Sequence, residues 1–119
     1  MNLYHLHLHV RDLAATSAFY ERYFEFQRVF PGAPELFLRS PRGFLLALVE
    51  RSPDEATIPD WFHLGFQAQS ADEARSLFRR MTDDGVSMAV PWTEYPTGTV
   101  KFHCVDPDGQ RVEVRWDAA

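Results

Sequence analysis

The chain has 119 residues, 45% of them hydrophobic and 24% charged, with 10 Phe, 4 Tyr and 3 Trp, enough apolar surface for one compact domain. No apolar run approaches the roughly 18 to 20 residues of a membrane helix, the first residues carry three histidines and an arginine where a signal peptide is apolar, and a lone Cys104 excludes an intrachain disulfide or a Cys-rich zinc site. A cytoplasmic location without a membrane partner is therefore expected, and the formal charge of -5 from 12 basic and 17 acidic residues lacks the basic stripe that nucleic acid requires.

Residues Leu3 to Val10 alternate, with Leu6, Leu8 and Val10 on one face and His5, His7 and His9 on the other, which predicts a strand. Asp12 caps the helix that follows, where Leu13, Ser17, Tyr20 and Phe24 recur at the helical period. That helix is expected to end near Phe24. Three short strands are predicted at Gln27 to Phe30, Glu35 to Arg39 and Gly43 to Val49, punctuated by Pro31-Gly32 and Pro41-Arg42-Gly43. Arg51 to Pro59, rich in Pro and acidic residues and without periodicity, reads as a linker.

A second series begins with a strand at Trp61 to Gln67. Ser70-Ala71-Asp72-Glu73 is a capping box for a helix whose Ala74, Leu77, Phe78 and Met81 form the apolar stripe, and Gly85 ends it. Three further strands fit Val86 to Val90, Thr99 to Val105 and Gln110 to Trp116. The last two are joined by Asp106-Pro107-Asp108-Gly109, whose Pro and Gly positions match a type I turn.

The two series are one pattern repeated. A shift of 58 places His5-Leu6 on His63-Leu64 and the first helix on the second. Aligning the closing hairpins through Ser40-Pro41-Arg42-Gly43 and Asp106-Pro107-Asp108-Gly109 sets Ala47 opposite Glu113. His5 to Ala47 spans 42 residues and His63 to Glu113 spans 50, so the second half carries 8 more. These are expected to form a loop around Pro91 to Gly98. The fold class is thus α+β, two tandem βαβββ modules, residues 1–57 and 58–119, within a single domain.

Chemistry-bearing residues fall at matched places. A histidine, His5 or His63, opens each half, and the last strand carries Glu113 between Arg111 and Arg115 while Val112, Val114 and Trp116 take the other face. Two imidazoles and a carboxylate suit Mn, Fe, Zn, Ni or Co as divalent ions and leave coordination positions open for substrate. A lone strand histidine or a Glu between two Arg is ordinarily a solvated polar group. The repeat argues otherwise here, because a pseudo-twofold axis brings matched positions together.

The same residues resemble a family. His5 in Tyr-His-Leu-His-Leu-His-Val-Arg-Asp-Leu, Ala18-Phe19-Tyr20, His63 in Phe-His-Leu-Gly-Phe, and Asp106-Pro107-Asp108-Gly109-Gln110-Arg111-Val112-Glu113 together look like the vicinal oxygen chelate superfamily. That group includes glyoxalase I, fosfomycin resistance transferases, extradiol dioxygenases, methylmalonyl-CoA epimerases and bleomycin resistance proteins. The resemblance implies paired βαβββ modules whose mixed sheets curl around a metal-binding cup, and a homodimer. It implies one divalent metal ion per chain held by His5, His63 and Glu113. The fourth ligand position of glyoxalase I falls on Ala47, whose methyl group cannot bind metal, leaving a three-ligand set. Glu25-Phe26 stands where the family usually has Gly-Phe, a departure expected to affect the helix end and not the site.

His7, Arg111 and Arg115 are expected to meet substrate: the second half offers a basic wall with Lys101 and His103, while Leu45, Ala47 and Val49 make the first half apolar. An anionic or oxygen-rich small molecule with an apolar portion fits both. His7 has an alternative role as a ligand, and His9 is expected at the rim. His103, ten residues before Glu113, holds the place where fosfomycin transferases and extradiol dioxygenases have a tyrosine, and is the expected proton-transfer residue. The implied function is a small metal-dependent lyase, isomerase or dioxygenase; the alternative is a bleomycin-resistance-like binding protein without catalysis. Fosfomycin transfer itself is disfavoured by the missing tyrosine and the short C-terminus.

Overall fold

The structure, a computed structural model, describes residues 1–118. The described residues divide into two compact modules, residues 1–57 and 58–118. The first contains β1 (His5–Val10), α1 (Leu13–Phe24), β2 (Gln27–Val29), β3 (Leu36–Arg39) and β4 (Leu45–Glu50); the second contains β5 (His63–Gln67), α2 (Ala71–Asp83), β6 (Met88–Glu94), β7 (Val100–Val105) and β8 (Arg111–Trp116). Each is βαβββ with its own four-stranded mixed sheet, ordered β1-β4-β3-β2 and β5-β8-β7-β6. Among the described residues no helix is long and apolar enough to cross a membrane.

Local chemistry sets the helix ends. The Asp12 carboxylate accepts from the Ala15 amide at 3.0 Å and the Ser70 hydroxyl from the Glu73 amide at 3.0 Å, each satisfying a donor that the first turn leaves free. After α2 the chain turns through Gly85 at φ 82. After α1 the same left-handed turn is made by Glu25 at φ 59. A side chain there costs roughly 1 to 2 kcal/mol that glycine avoids, so the Glu25-Phe26 departure bears on the helix end, as expected.

In each sheet one face packs on the helix. Leu38, Leu46 and Leu48 in the first module and Phe102, Cys104, Val112 and Val114 in the second are at most 2% exposed, and burying each large apolar side chain contributes about 1.5 to 3 kcal/mol. Phe78 of α2 meets Phe102 edge-on at 5.2 Å. Cys104 belongs to this packed face, and burial pushes its thiol up to about 12, so it is an inert core residue.

One expectation is corrected. The strand predicted to stop at Val90 continues through Pro91 to Glu94, and the loop predicted at Pro91 to Gly98 shrinks to a turn in which the Gly98 amide donates to the Tyr95 carbonyl at 2.9 Å. β6 is an edge strand with register shifts between Met88 and Val90 and between Val90 and Thr93. An edge strand with bulges accepts a proline that a central strand would reject. Trp92 ties the extension down, stacked at 6.3 Å on Phe102 and lying under the Arg75 guanidinium at 4.7 Å.

Candidate metal centre

The parallel pairing of β5 with β8 sets His63 opposite Arg111 and Gly65 opposite Glu113, and the antiparallel pairing of β7 with β8 sets His103 opposite Glu113. β8 is flanked by both strands. A carboxylate on the middle strand therefore receives a side chain from either side. His63 Nε2 lies 3.2 Å and His103 Nε2 3.1 Å from the same oxygen, Oε2 of Glu113. One donor atom from each of the three lies within 4.8 Å of the others.

The surroundings differ sharply between the two imidazoles. His63 is well exposed, and its Nδ1 is 3.1 Å from the Trp61 carbonyl oxygen. A carbonyl only accepts, so Nδ1 carries the proton and a neutral ring turns the Nε2 lone pair toward Glu113. His103 is 5% exposed, and neither ring nitrogen has a hydrogen-bond partner; its Nε2 is near Oε2 but outside hydrogen-bond geometry. Burial is the main cause that holds the His103 pKa below the ordinary imidazole value; the Glu113 charge opposes it, while His63, Lys101 and Arg111 reinforce it. Burial and the neighbouring positive charges thus favour the neutral form of His103, against the pull of Glu113.

These residues fit a divalent ion. Neutral imidazole nitrogens and a carboxylate oxygen are its usual donors, and the unpartnered Nε2 of His103 is a donor atom that the protein itself leaves unused. Gly65, opposite Glu113 in the pairing, leaves open space where a Cβ would project. The remaining expected residues are placed as follows. Arg111 and Arg115 share the face of Glu113, Arg115 reaching Glu113 Oε1 at 3.8 Å and Asp117 at 2.8 Å. His5 belongs to the first module, exposed at the start of β1 with its ring 4.8 Å from that of Tyr4. His7 Nε2 is 2.9 Å from His9 Nε2, and His9 Nδ1 is 2.6 Å from Glu55, so those two form a chain ending on a linker carboxylate.

Sequence reasoning sets His103 across the hairpin from Glu113; the structure adds that His63 and His103 approach the same carboxylate oxygen. The signal for the hairpin pairing was present: residues paired across the β7–β8 hairpin sum to one constant, so 103 meets 113. A cavity of about 220 Å³ in the second module is lined by Phe62, Val105, Gln110 and Arg111 among others. It shares Arg111 with the site's face, but His63, His103 and Glu113 do not line it, and the donor geometry is the stronger guide to chemistry.

A family model of the Glyoxalase/Bleomycin resistance protein/Dioxygenase superfamily matches residues 2–114. The chain is similar to a possible glyoxalase from Bacillus cereus, at 30% identity over 96% of this chain and 97% of that one, with a TM-score of 0.79. It is similar to the genomically encoded fosfomycin resistance protein FosX from Listeria monocytogenes, at 27% identity over 99% and 94% of the two chains, with a TM-score of 0.80. A lactoylglutathione lyase from Agrobacterium tumefaciens shares the fold at 24% identity over 97% and 92%, with a TM-score of 0.73. No curated protein matches the chain.

Proposed function

We propose, since the chain belongs to the Glyoxalase/Bleomycin resistance protein/Dioxygenase superfamily, that it is a small enzyme using one divalent ion per chain on an oxygen-rich small-molecule substrate. The observation that carries this reading is the convergence of His63 and His103 on one oxygen of Glu113. His63 and Glu113 would hold the ion, with His5 supplied by a first module of the same chain or of a partner in a homodimer. When bound, such an ion polarises neighbouring substrate oxygens and stabilises developing negative charge.

The other residues would bind, orient and move protons. Arg111 and Arg115 present guanidinium groups on the face of Glu113 and suit an anionic or strongly polarised substrate group. His7 would contact the substrate from the first module. His103, at the place of the related enzymes' tyrosine, is the proton carrier that the sequence pattern favours; if its Nε2 is committed to the ion, that duty passes to His7 or Tyr95. Lyase, isomerase and dioxygenase chemistry all use these parts, and a cytoplasmic location accords with the free Cys104.

Anaerobic purification with metal analysis, followed by a screen of catechols, hemithioacetals and acyl-CoA thioesters, tests the reading. One ion per chain and turnover in one class are expected. Absence of a stoichiometric ion with tight binding of an intact organic ligand would instead make the chain a binding protein of the bleomycin-resistance kind. If modules pair across chains, mixing His5→Ala with Glu113→Ala protein restores some metal sites; a monomer at micromolar concentration that still binds the ion overturns that arrangement.

A further inference from the structure

We propose that His103 is itself a metal ligand, so that His63, His103 and Glu113 form a two-histidine, one-carboxylate set supplied entirely by the second module. This rests on the metal-dependent reading and changes its ligand set: His5 becomes an additional donor, no longer a required one, and His103 is released from proton transfer.

The spacing of the donors is the first ground. Two donors bonded to one ion at about 2.1 Å stand roughly 3.0 Å apart at a right angle and roughly 3.4 Å apart at the tetrahedral angle. The two separations from Glu113 Oε2, 3.1 and 3.2 Å, fall inside that interval, and the three donor atoms together lie within 4.8 Å of one another. Hydrogen bonding does not explain them for His103, because its Nε2 makes none.

The second ground is the cost of leaving that nitrogen as it is. A buried polar atom without a partner is destabilising because it has given up its bonds to water, and His103 has two in a residue 5% exposed. Water or substrate would have to reach His103 for proton transfer, yet it is less accessible than either His63 or Glu113, whose side chains are 38% and 14% exposed against its 6%. A cation between Nε2 and Oε2 removes the penalty on Nε2 without requiring access. The third ground is His63, whose Nδ1–H donation to the Trp61 carbonyl directs its lone pair to the same point. Metal-binding imidazoles are commonly oriented by such a bond on the opposite ring nitrogen.

The first module provides an internal control. Its pairing sets His7 and Phe37 opposite Ala47, as Gly65 and His103 stand opposite Glu113. Phe37 thus takes the place of His103 where Ala47 takes the place of Glu113. The histidine and the carboxylate are present together in one module and absent together in the other, as expected of two residues serving one ion.

The chain has five histidines, which makes a direct count feasible. In a His5→Ala/His7→Ala/His9→Ala protein labelled with ¹⁵N-histidine and loaded with one equivalent of Co(II), two hyperfine-shifted imidazole N–H signals are expected, from His63 and His103. One shifted imidazole overturns the assignment. In the otherwise native chain, His103→Ala is expected to weaken Co(II) binding at least 100-fold in competition with a chelator and to alter the visible d–d spectrum. Equal affinity with an unchanged spectrum overturns the assignment while leaving the metal-dependent reading intact. Failure of the native protein to bind Co(II) tightly overturns both.

Discussion

The two modules share strand order and register yet differ on one face. Opposite the helix, the second module carries His63, His103, Glu113, Arg111 and Arg115, and the first carries His5, Phe37, Ala47, Leu45 and Val49 at the corresponding pairings. Only the opening histidine is common to both. On the helix-facing side the difference disappears: Leu38, Leu46 and Leu48 match Cys104, Val112 and Val114, all buried and apolar. One face of each sheet specifies the fold and must stay apolar. The other is free to vary, and the candidate chemistry is concentrated on one of its two copies.

Making the second module resemble the first at its centre should have the largest effect. Glu113→Ala is expected to lower divalent-metal affinity 10³-fold or more, about 4 kcal/mol, as read by metal content after dialysis. Stoichiometric metal retained by that variant would move the site toward His5 and His7. On the helix-facing side the effect should fall on stability instead. Leu46→Ala, at a residue 1% exposed, should cost about 2 to 5 kcal/mol in chemical denaturation while the second module's metal affinity holds. A large loss of metal affinity with little loss of stability would contradict the division of labour between faces.

The helix ends sharpen the comparison at smaller amplitude. Gly85, at φ 82, should lose about 1 kcal/mol on Gly85→Ala, and Glu25→Gly should gain up to about 1 kcal/mol because φ 59 suits glycine. Thermal unfolding that moves both variants in one direction would show that the two turns are not equivalent. The smallest effect is expected from Glu21, whose carboxyl is held below the usual value by the Ser17 hydroxyl and then by Arg28. Because its folded-state pKa is depressed, its contribution is present above about pH 4.5 and is lost as pH falls through the folded value. The group is partly solvated, so Glu21→Gln should flatten the acid limb of stability by only a few tenths of a kcal/mol; an acid limb identical to the native one would remove the interaction from the account.

Much of this was legible in the amino-acid order because it is governed by neighbours in sequence. The alternation of β1, the caps at Asp12 and Ser70, the Asp106–Gly109 turn and the correspondence of Ala47 with Glu113 depend on periodicity and turn chemistry acting over a few residues. The pairing registers bear that correspondence out: Ala47 stands opposite position 7 and Glu113 opposite position 65, again 58 apart. Where tertiary context outweighed local signals, the reading changed. Pro91 argues for a loop until the strand is known to lie at a bulged sheet edge, with Trp92 held against Phe102.

The same division runs through the candidate site. Residue types alone determined that imidazole and carboxylate donors are present and that they open and close the second module, because those chemistries are intrinsic to the side chains. Three things were left to the tertiary structure: that β8 lies between β5 and β7, that Trp61 sets the tautomer of His63, and that His103 is buried without a hydrogen bond. His63 and Glu113 are 50 residues apart in sequence, and only parallel pairing brings their strands side by side. Burial, likewise, depends on what the rest of the chain covers, which is why the unpartnered nitrogen of His103 appears only once the strands are assembled.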